Sequence, residues 1–422
     1  MVTRSTSFPQ LEGGELLGAM KYIVIIGDGM TDRPLKELGG ETPLQRAFTP
    51  NMDRLAQEGI IGSVRTVPPG YHPGSDVANL SILGYDPRKY YTGRAPLEAA
   101  SIGVALGDND VAYRCNLVTL RYDKENTSAI MEDYSAGHIS SHEAEILIKE
   151  VNDTLGNEKI RFYPGVSYRH LMVWRGGIDK MKTTPPHDIS GREIMPYLPS
   201  GEGADKLRYL IEKSRELLKN HPINHKRIEQ GKNPATSIWL WGQGRAPKMP
   251  KFKELYGIEG AVISAVDLVK GIGVYAGLRV IDVPGATGYL DTNYEGKVEY
   301  AIRALDEVDL VMIHIEATDE TGHEGKVDLK IRAIEDFDSR VIGPVLDGIK
   351  RFDDYRVLVL SDHPTPIELK THINEPVPFA ILSSKDSGVK NKDKTFSESS
   401  ASKTEVFVDE GWKLIGMLLG KN

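Results

Sequence analysis

Three short, continuously apolar runs, each broken at its C-terminal end by residue types that ligate metals, constrain this 422-residue chain more than any other feature. Tyr22-Ile23-Val24-Ile25-Ile26 leads into Gly27-Asp28-Gly29, Asp309 to Ile315 leads into Glu316 and Asp319, and Arg356 to Leu360 leads into Ser361-Asp362-His363. Runs of this length predict strands buried on both faces. Between the second and third, Ile331, Ile334, Val341 and Val345 recur at roughly helical spacing, which predicts an amphipathic crossover helix within Lys326 to Phe352. Strand, helix, strand implies a parallel sheet, and open α/β sheets bind ligands beyond the carboxyl ends of their strands. Asp28, Asp319, Asp362 and His363 are thus expected to meet at one sheet edge.

The length exceeds what one hydrophobic core usually serves, so two domains are expected. The middle of the chain changes character. Ser140-Ser141-His142-Glu143 has capping-box spacing ahead of a helical Ala144 to Val151, and Pro185-Pro186, Pro196, Pro199 and Pro222 follow. The expectation is an α/β core from residues 21–121 and 286–422, a smaller inserted α/β domain over 122–285, and a loose extension over 1–20. That extension carries no apolar run long enough for a signal peptide. The longest apolar stretch, Ala261 to Ile281, is broken by Asp267, Lys270 and Arg279, so no membrane span is expected. A net charge of -8 offers no general attraction for nucleic acid or anionic lipid. Cys115 is the only cysteine, which excludes an internal disulfide and points to a reducing compartment, the cytoplasm. Oligomeric state is left open.

Ser75, in Pro73-Gly74-Ser75-Asp76-Val77-Ala78-Asn79-Leu80, stands where a tight turn would enter a helix. A helix N-terminus suits a phosphoryl group carried on that serine; a plain N-cap serine fits the same pattern. Asp319-Glu320-Thr321-Gly322-His323 spaces a carboxylate and an imidazole to reach one ion from a short loop, Asp362-His363 can serve two neighbouring ions, and His372 follows in a proline-rich loop. Each histidine taken alone is more often a structural residue than a ligand. Taken together they form an oxygen-and-nitrogen donor set suited to Mn²⁺, Zn²⁺ or Mg²⁺. His221-Pro222-Ile223-Asn224-His225 reads as a loop or a helix start rather than a metal site, and Gly271-Ile272-Gly273 lacks the spacing of a dinucleotide fingerprint.

The order Asp28, Ser75, Asp319-x-x-x-His323, Asp362-His363, His372 resembles the two-metal signature of the alkaline phosphatase superfamily. Within it the chain resembles the cofactor-independent phosphoglycerate mutases of the archaeal type. The resemblance runs from about Lys21 to the C-terminus and is carried by Gly74 to Ser81, Ile238 to Arg245, Pro284 to Tyr289, Asp291 to Tyr294 and Asp362 to Pro366. It implies an alkaline-phosphatase-like core with a mainly parallel sheet and an inserted domain that closes over substrate. It also implies one divalent ion on Asp319, His323 and His372, a second on Asp28, Ser75, Asp362 and His363, and a phosphoserine intermediate on Ser75. The implied reaction interconverts 3- and 2-phosphoglycerate. A phosphohydrolase or a homoserine-kinase-like transferase shares the same ligands. Arg94, His138, His187, Asp188 and Arg245 are the expected contacts to the small phosphoglycerate. The bacterial-type mutases carry Arg-Asp where this chain has His187-Asp188, and a lysine where it has glycine around Pro284-Gly285.

Overall fold

The computed structural model describes residues 20–123, 128–386, 388 and 391–421, so the expected extension lies outside the described residues except for Met20. The chain starts a large sheet with β1 (Lys21–Gly27) and β2 (Ile60–Val64), then passes through helices α1 (Ser75–Ile82) and α2 (Arg94–Ser101). It builds a second sheet from β3 (Val111–Tyr122), β4 (Ala129–Asp133), β5 (Ile160–Tyr163), β6 (Arg169–Trp174) and β7 (Ser237–Gly244), with helices α3 (Ser141–Leu155) and α4 (Ala204–Leu218) among them. It returns to the first sheet with β8 (Gly260–Ile263), β9 (Arg279–Val280), β10 (Leu310–Ile315), β11 (Tyr355–Ser361), β12 (Val377–Ser383) and β13 (Phe407–Val408).

The large sheet runs β13-β2-β12-β11-β1-β10-β8-β9. Pairing is parallel from β11 through β1, β10 and β8 to β9, and antiparallel where β12 meets β11 and β2. The three expected strands are its centre. Their side chains alternate between two cores: Ile23, Ile25, Val311, Ile313, Val357 and Val359 face one layer of helices, while Val24, Ile26, Met312, Leu358 and Leu360 face the other. Burial on both faces explains why these strands are continuously apolar rather than alternating. The register then sets the site, because Gly27 pairs with both Ile315 and Ser361. Asp28, Glu316 and Asp362 therefore leave the sheet at one level. The expected crossover between β10 and β11 is present as α5 (Ala317–Glu324), α6 (Val327–Phe337), a π-turn over Asp338–Ile342 and a further helix over Gly343–Gly348.

The second sheet is antiparallel throughout, with order β4-β3-β6-β5 and β7 also paired to β3. Leu147, Ile148 and Val151 of α3 and Leu207, Leu210 and Ile211 of α4 cover one side of it. Its strands run from Val111 to Gly244, which corrects the expected insert boundaries of 122 and 285. Residues 260–280 return to the core, where β8 pairs with β10 and β9 with β8. The first ten residues of β3 are buried, the same pattern as a core strand, so its apolar run alone does not announce a new sheet. Among the described residues no helix is long and apolar enough to cross a membrane.

Candidate active site

Ser75 is the first residue of α1, with Gly74 ahead of it and no side-chain cap, so it is not a plain N-cap serine. Its Oγ lies 3.1 Å from His363 Nε2 and 3.5 Å from Asp28 Oδ1. Asn79, one turn along α1 and fully buried, donates Nδ2 to the Ser75 carbonyl at 2.8 Å and to Asp362 Oδ2 at 2.9 Å. The nucleophile candidate and the β11 carboxylate are thus held by one amide. The backbone N–H of Gly29 donates to Asp362 Oδ1 at 3.0 Å, which ties the loops after β1 and β11.

Asp319 and His323 lie four apart on helix α5, which corrects the short loop expected from Thr321 and Gly322. His323 Nε2 is 3.2 Å from Asp319 Oδ2, His372 Nε2 is 3.5 Å from Asp319 Oδ1, and the two imidazole Nε2 atoms stand 2.9 Å apart. His323 Nδ1 lies 3.0 Å from the Lys370 carbonyl, so a proton there leaves the Nε2 lone pair turned into the cluster. Thr365 Oγ1 donates to Asp319 Oδ1 and lies 3.3 Å from His363 Nδ1. Asp319, His363 and His372 offer ligand atoms all within 4.8 Å of one another, and so do Asp28, His314 and Asp362. His363 sits between the groups, 3.4 Å from Asp28 Oδ1 with its ring 4.1 Å from that of His372. The division of ligands implied by the resemblance is therefore blurred at this residue.

His314 is a site residue that is not among the expected ones. Fully buried in β10, its Nε2 has no hydrogen-bond partner and lies 3.3 Å from Asp28 Oδ2. The available signal was a lone imidazole within an otherwise apolar strand. Electrostatics make the whole group a fit for cations. Burial, then the carboxylates of Asp362, Asp319 and Glu316, push Asp28 well above the usual carboxylate range. Burial also raises Asp362, and it lifts Glu316 to about 8 with help from Glu320 and Asp319. Burial opposes charge on Asp319 too, yet His323 and His372 hold it well below its ordinary value. Crowded carboxylates, an orphaned buried nitrogen and an oxygen-and-nitrogen donor set match divalent ions.

Cations and aromatics from the insert and from α2 lie within electrostatic reach of this floor. Arg114 of β3 is buried, lies 4.3 Å over the Trp241 ring and pairs with Glu98 at 2.9 Å; Arg94, the first residue of α2, reaches the same Glu98 at 3.5 Å. Burial, opposed by Glu98 and reinforced by Arg94 and Arg169, pulls Arg114 down to about 10, still a full cation at neutral pH. Arg169, over Tyr168 at 5.1 Å, acts electrostatically on Glu316 and Glu320 at the floor. His187 packs edge-on to Trp241 at 5.4 Å and Tyr134 at 6.1 Å, within electrostatic reach of Arg94, Arg114 and His323, with Asp188 3.6 Å away. His138, in the left-handed region at φ 47°, contacts Tyr168 at 6.0 Å.

Arg245 is a correction. Its guanidinium donates to Asp179, to the Asn109 carbonyl and to the Gly177 carbonyl, so it ties the base of the insert instead of facing the cluster. Arg114 and Arg169, neither among the expected contacts, lie instead in the group around Trp241 and Tyr168. His221 caps the helix Pro222–Glu229, the second of the two readings, loop or helix start, that its sequence allows.

A family model described as 2,3-bisphosphoglycerate-independent phosphoglycerate mutase matches residues 56–224. A Methanosarcina barkeri protein of the same name is 56% identical over 402 residues, covering 95% of this chain and 99% of its own. A solved Pyrococcus horikoshii protein superposes with a TM-score of 0.79 at 32% identity, over 96% of this chain and 97% of that one. The cofactor-independent phosphoglycerate mutase of Thermoplasma acidophilum gives a TM-score of 0.63 at 28% identity, over 95% and 99%. With a full-length relative above half identity and the ligand cluster in place, this chain belongs to the family of 2,3-bisphosphoglycerate-independent phosphoglycerate mutases.

Proposed function

We propose that this chain interconverts 3-phosphoglycerate and 2-phosphoglycerate through a phosphoserine on Ser75, in the cytoplasm and without free 2,3-bisphosphoglycerate. The observation that carries this reading is the Ser75 hydroxyl, at a helix N-terminus and 3.1 Å from His363 Nε2. Asp319, His323 and His372 would hold one divalent ion, and Asp28, Ser75, Asp362 and His363, with His314 beside them, a second; Mn²⁺ is the first candidate, Zn²⁺ or Mg²⁺ the alternatives. Such ions, when bound, supply Lewis acidity that lowers the serine pKa and offsets phosphoryl charge.

The chain's own groups account for the rest. Ser75 gives up its hydroxyl proton as Oγ bonds to phosphorus and the substrate's ester bond breaks, and the freed glycerate oxygen takes up a proton in exchange. Glycerate then presents its other hydroxyl, which takes the phosphoryl group back and returns Ser75 to its hydroxyl. Free N–H groups at the start of α1 face the transferring oxygens. Arg94, Arg114 and Arg169 supply forked donors for phosphate and carboxylate, with His187 and Asp188 among them and His138 at the rim. Glycerate must stay bound and water must stay out while it turns, a task that falls to the insert.

The test is 3-phosphoglycerate carrying labelled phosphate, with Mn²⁺ and no bisphosphoglycerate. Labelled 2-phosphoglycerate with little free phosphate is the expected result. Free phosphate as the main product would make the chain a hydrolase and refute the reading.

A further inference from the structure

Lys330 of α6 lies behind the cluster, fully buried, and the chemistry above gives it no part. An ammonium has three donors, and this one uses all three across two distant segments: Asp32 Oδ2 at 2.9 Å, the Thr31 carbonyl at 3.2 Å and the Thr365 carbonyl at 2.8 Å. Thr31 and Asp32 follow Asp28 in the loop after β1. Thr365 follows Asp362 and His363 in the loop after β11. The same Asp32 Oδ2 also accepts from the Ile367 N–H at 3.1 Å, so the pair clasps the second loop twice. Helix α5, which carries Asp319 and His323, seats on this node as well. A Cβ at Gly322 would lie 2.7 Å from the Thr365 carbonyl oxygen and 3.3 Å from Lys330 Nζ.

We infer that Lys330 is a positioning residue that sets where the ligands of both ion sites stand. The path is short and physical. Lys330 fixes the Thr365 backbone; the Thr365 hydroxyl is bonded to Asp319 Oδ1 and lies 3.3 Å from His363 Nδ1, one residue of each proposed site. A buried ammonium without this job is hard to explain, because desolvation makes such a pair at best a modest contributor to stability. The inference rests on the ion-binding reading of the cluster.

The test is titration of chelator-treated full-length protein with Co²⁺, read by its visible absorption band and by calorimetry, in the wild type and in Lys330→Met. Uptake of two Co²⁺ per wild-type chain is the control, and its failure would refute the ion sites themselves. In Lys330→Met, affinity is expected to fall between about ten- and a hundredfold, the range for loss of a residue that orients metal ligands, with a shifted band. Lys330→Met/Asp32→Asn removes both members of the hydrogen-bonded pair together, so neither is left without the other. It lacks the same ties to Thr31 and Thr365, so it is expected to show the same weakening. Wild-type affinity and spectrum in a folded variant would overturn the inference. Collapse of both variants by circular dichroism would overturn it too, since Lys330 would then serve the fold and not the site.

Discussion

Gly29 offers a perturbation whose effect can be divided into two parts and measured separately. Its φ of +57° lies in the left-handed region, where an alanine costs about 1–2 kcal/mol. A Cβ there would also stand 2.5 Å from Thr365 Oγ1 and 2.8 Å from Asp319 Cβ, and closer still to Asp319 Oδ1. Restoring ordinary carbon contact requires Asp319 to retreat by roughly 0.7 Å. His323 and His372 converge on that same carboxylate at 3.2 and 3.5 Å, so the cluster moves with it. Misplacement of about 1 Å near reacting groups lowers rates on the order of a hundredfold. Gly39 is the control: its φ is +70°, and a Cβ there meets nothing within 4 Å. Gly39→Ala is therefore expected to lose about 1–2 kcal/mol in urea unfolding and keep its mutase rate. Gly29→Ala should lose at least as much stability and about a hundredfold in kcat, with weaker Mn²⁺ binding by calorimetry. Equal mutase rates and Mn²⁺ affinities in the two variants would refute the collision argument and leave backbone strain as the whole effect.

Ser75→Ala is expected to abolish phosphoryl transfer while leaving the melting temperature near wild type, because the side chain does not cap its helix; near-normal turnover would refute the nucleophile assignment. Arg114→Met should raise KM between about ten- and a hundredfold with a smaller change in kcat, as loss of a charge-assisted contact to an anion does; an unchanged KM would remove Arg114 from the substrate site. Prolonged chelation should suppress activity and added Mn²⁺ should restore it; full activity in excess chelator would refute the role of divalent ions. Burial lowers His170 from 6.5 to about 3, with Nδ1 accepting the Gly165 N–H at 3.0 Å. The unfolded chain takes up this proton first as pH falls, so the stability it contributes is present above pH 6.5 and drains at about 1.4 kcal/mol per pH unit from there towards 3. His170→Gln should flatten that part of the acid slope in urea unfolding, and an unchanged slope between pH 6.5 and 5 would refute it.

The centre of the fold was legible because β1, β10 and β11 are buried on both faces, which forces continuous apolar runs, and because ligand residues follow where those runs stop. The local facts that failed depend on partners far away in the chain. Asp319-Glu320-Thr321-Gly322 contains weak helix formers, yet it is helical because Thr318 and Thr321 are buried in the site and bonded to the Asp28 and Ala317 carbonyls. His314 is invisible as a site residue until parallel pairing sets Ile26 of β1 beside it.

Arg114 shows the limit most clearly. Nothing around it in Val111 to Tyr122 marks it for function, and an arginine in an apolar strand reads as an edge residue. Its position comes from the antiparallel register with β7, where Arg114 pairs with Trp241 while Ala112 pairs with Gly244, leaving one extra residue on β7. That bulge contains Gly242 at φ +62°, and a Cβ there would touch Arg114 Cδ at 3.5 Å and Arg94 Cβ at 3.9 Å. Bulges re-aim side chains and tighten local twist. Here the bulge lays the guanidinium on the indole and turns it toward Glu98 and Arg94 of the core. Ile238 to Arg245 carries part of the family resemblance, and Arg245, following Gly244, is among the expected substrate contacts. The physical content of that stretch is instead the bulge and the tryptophan, which deliver an arginine from the neighbouring strand.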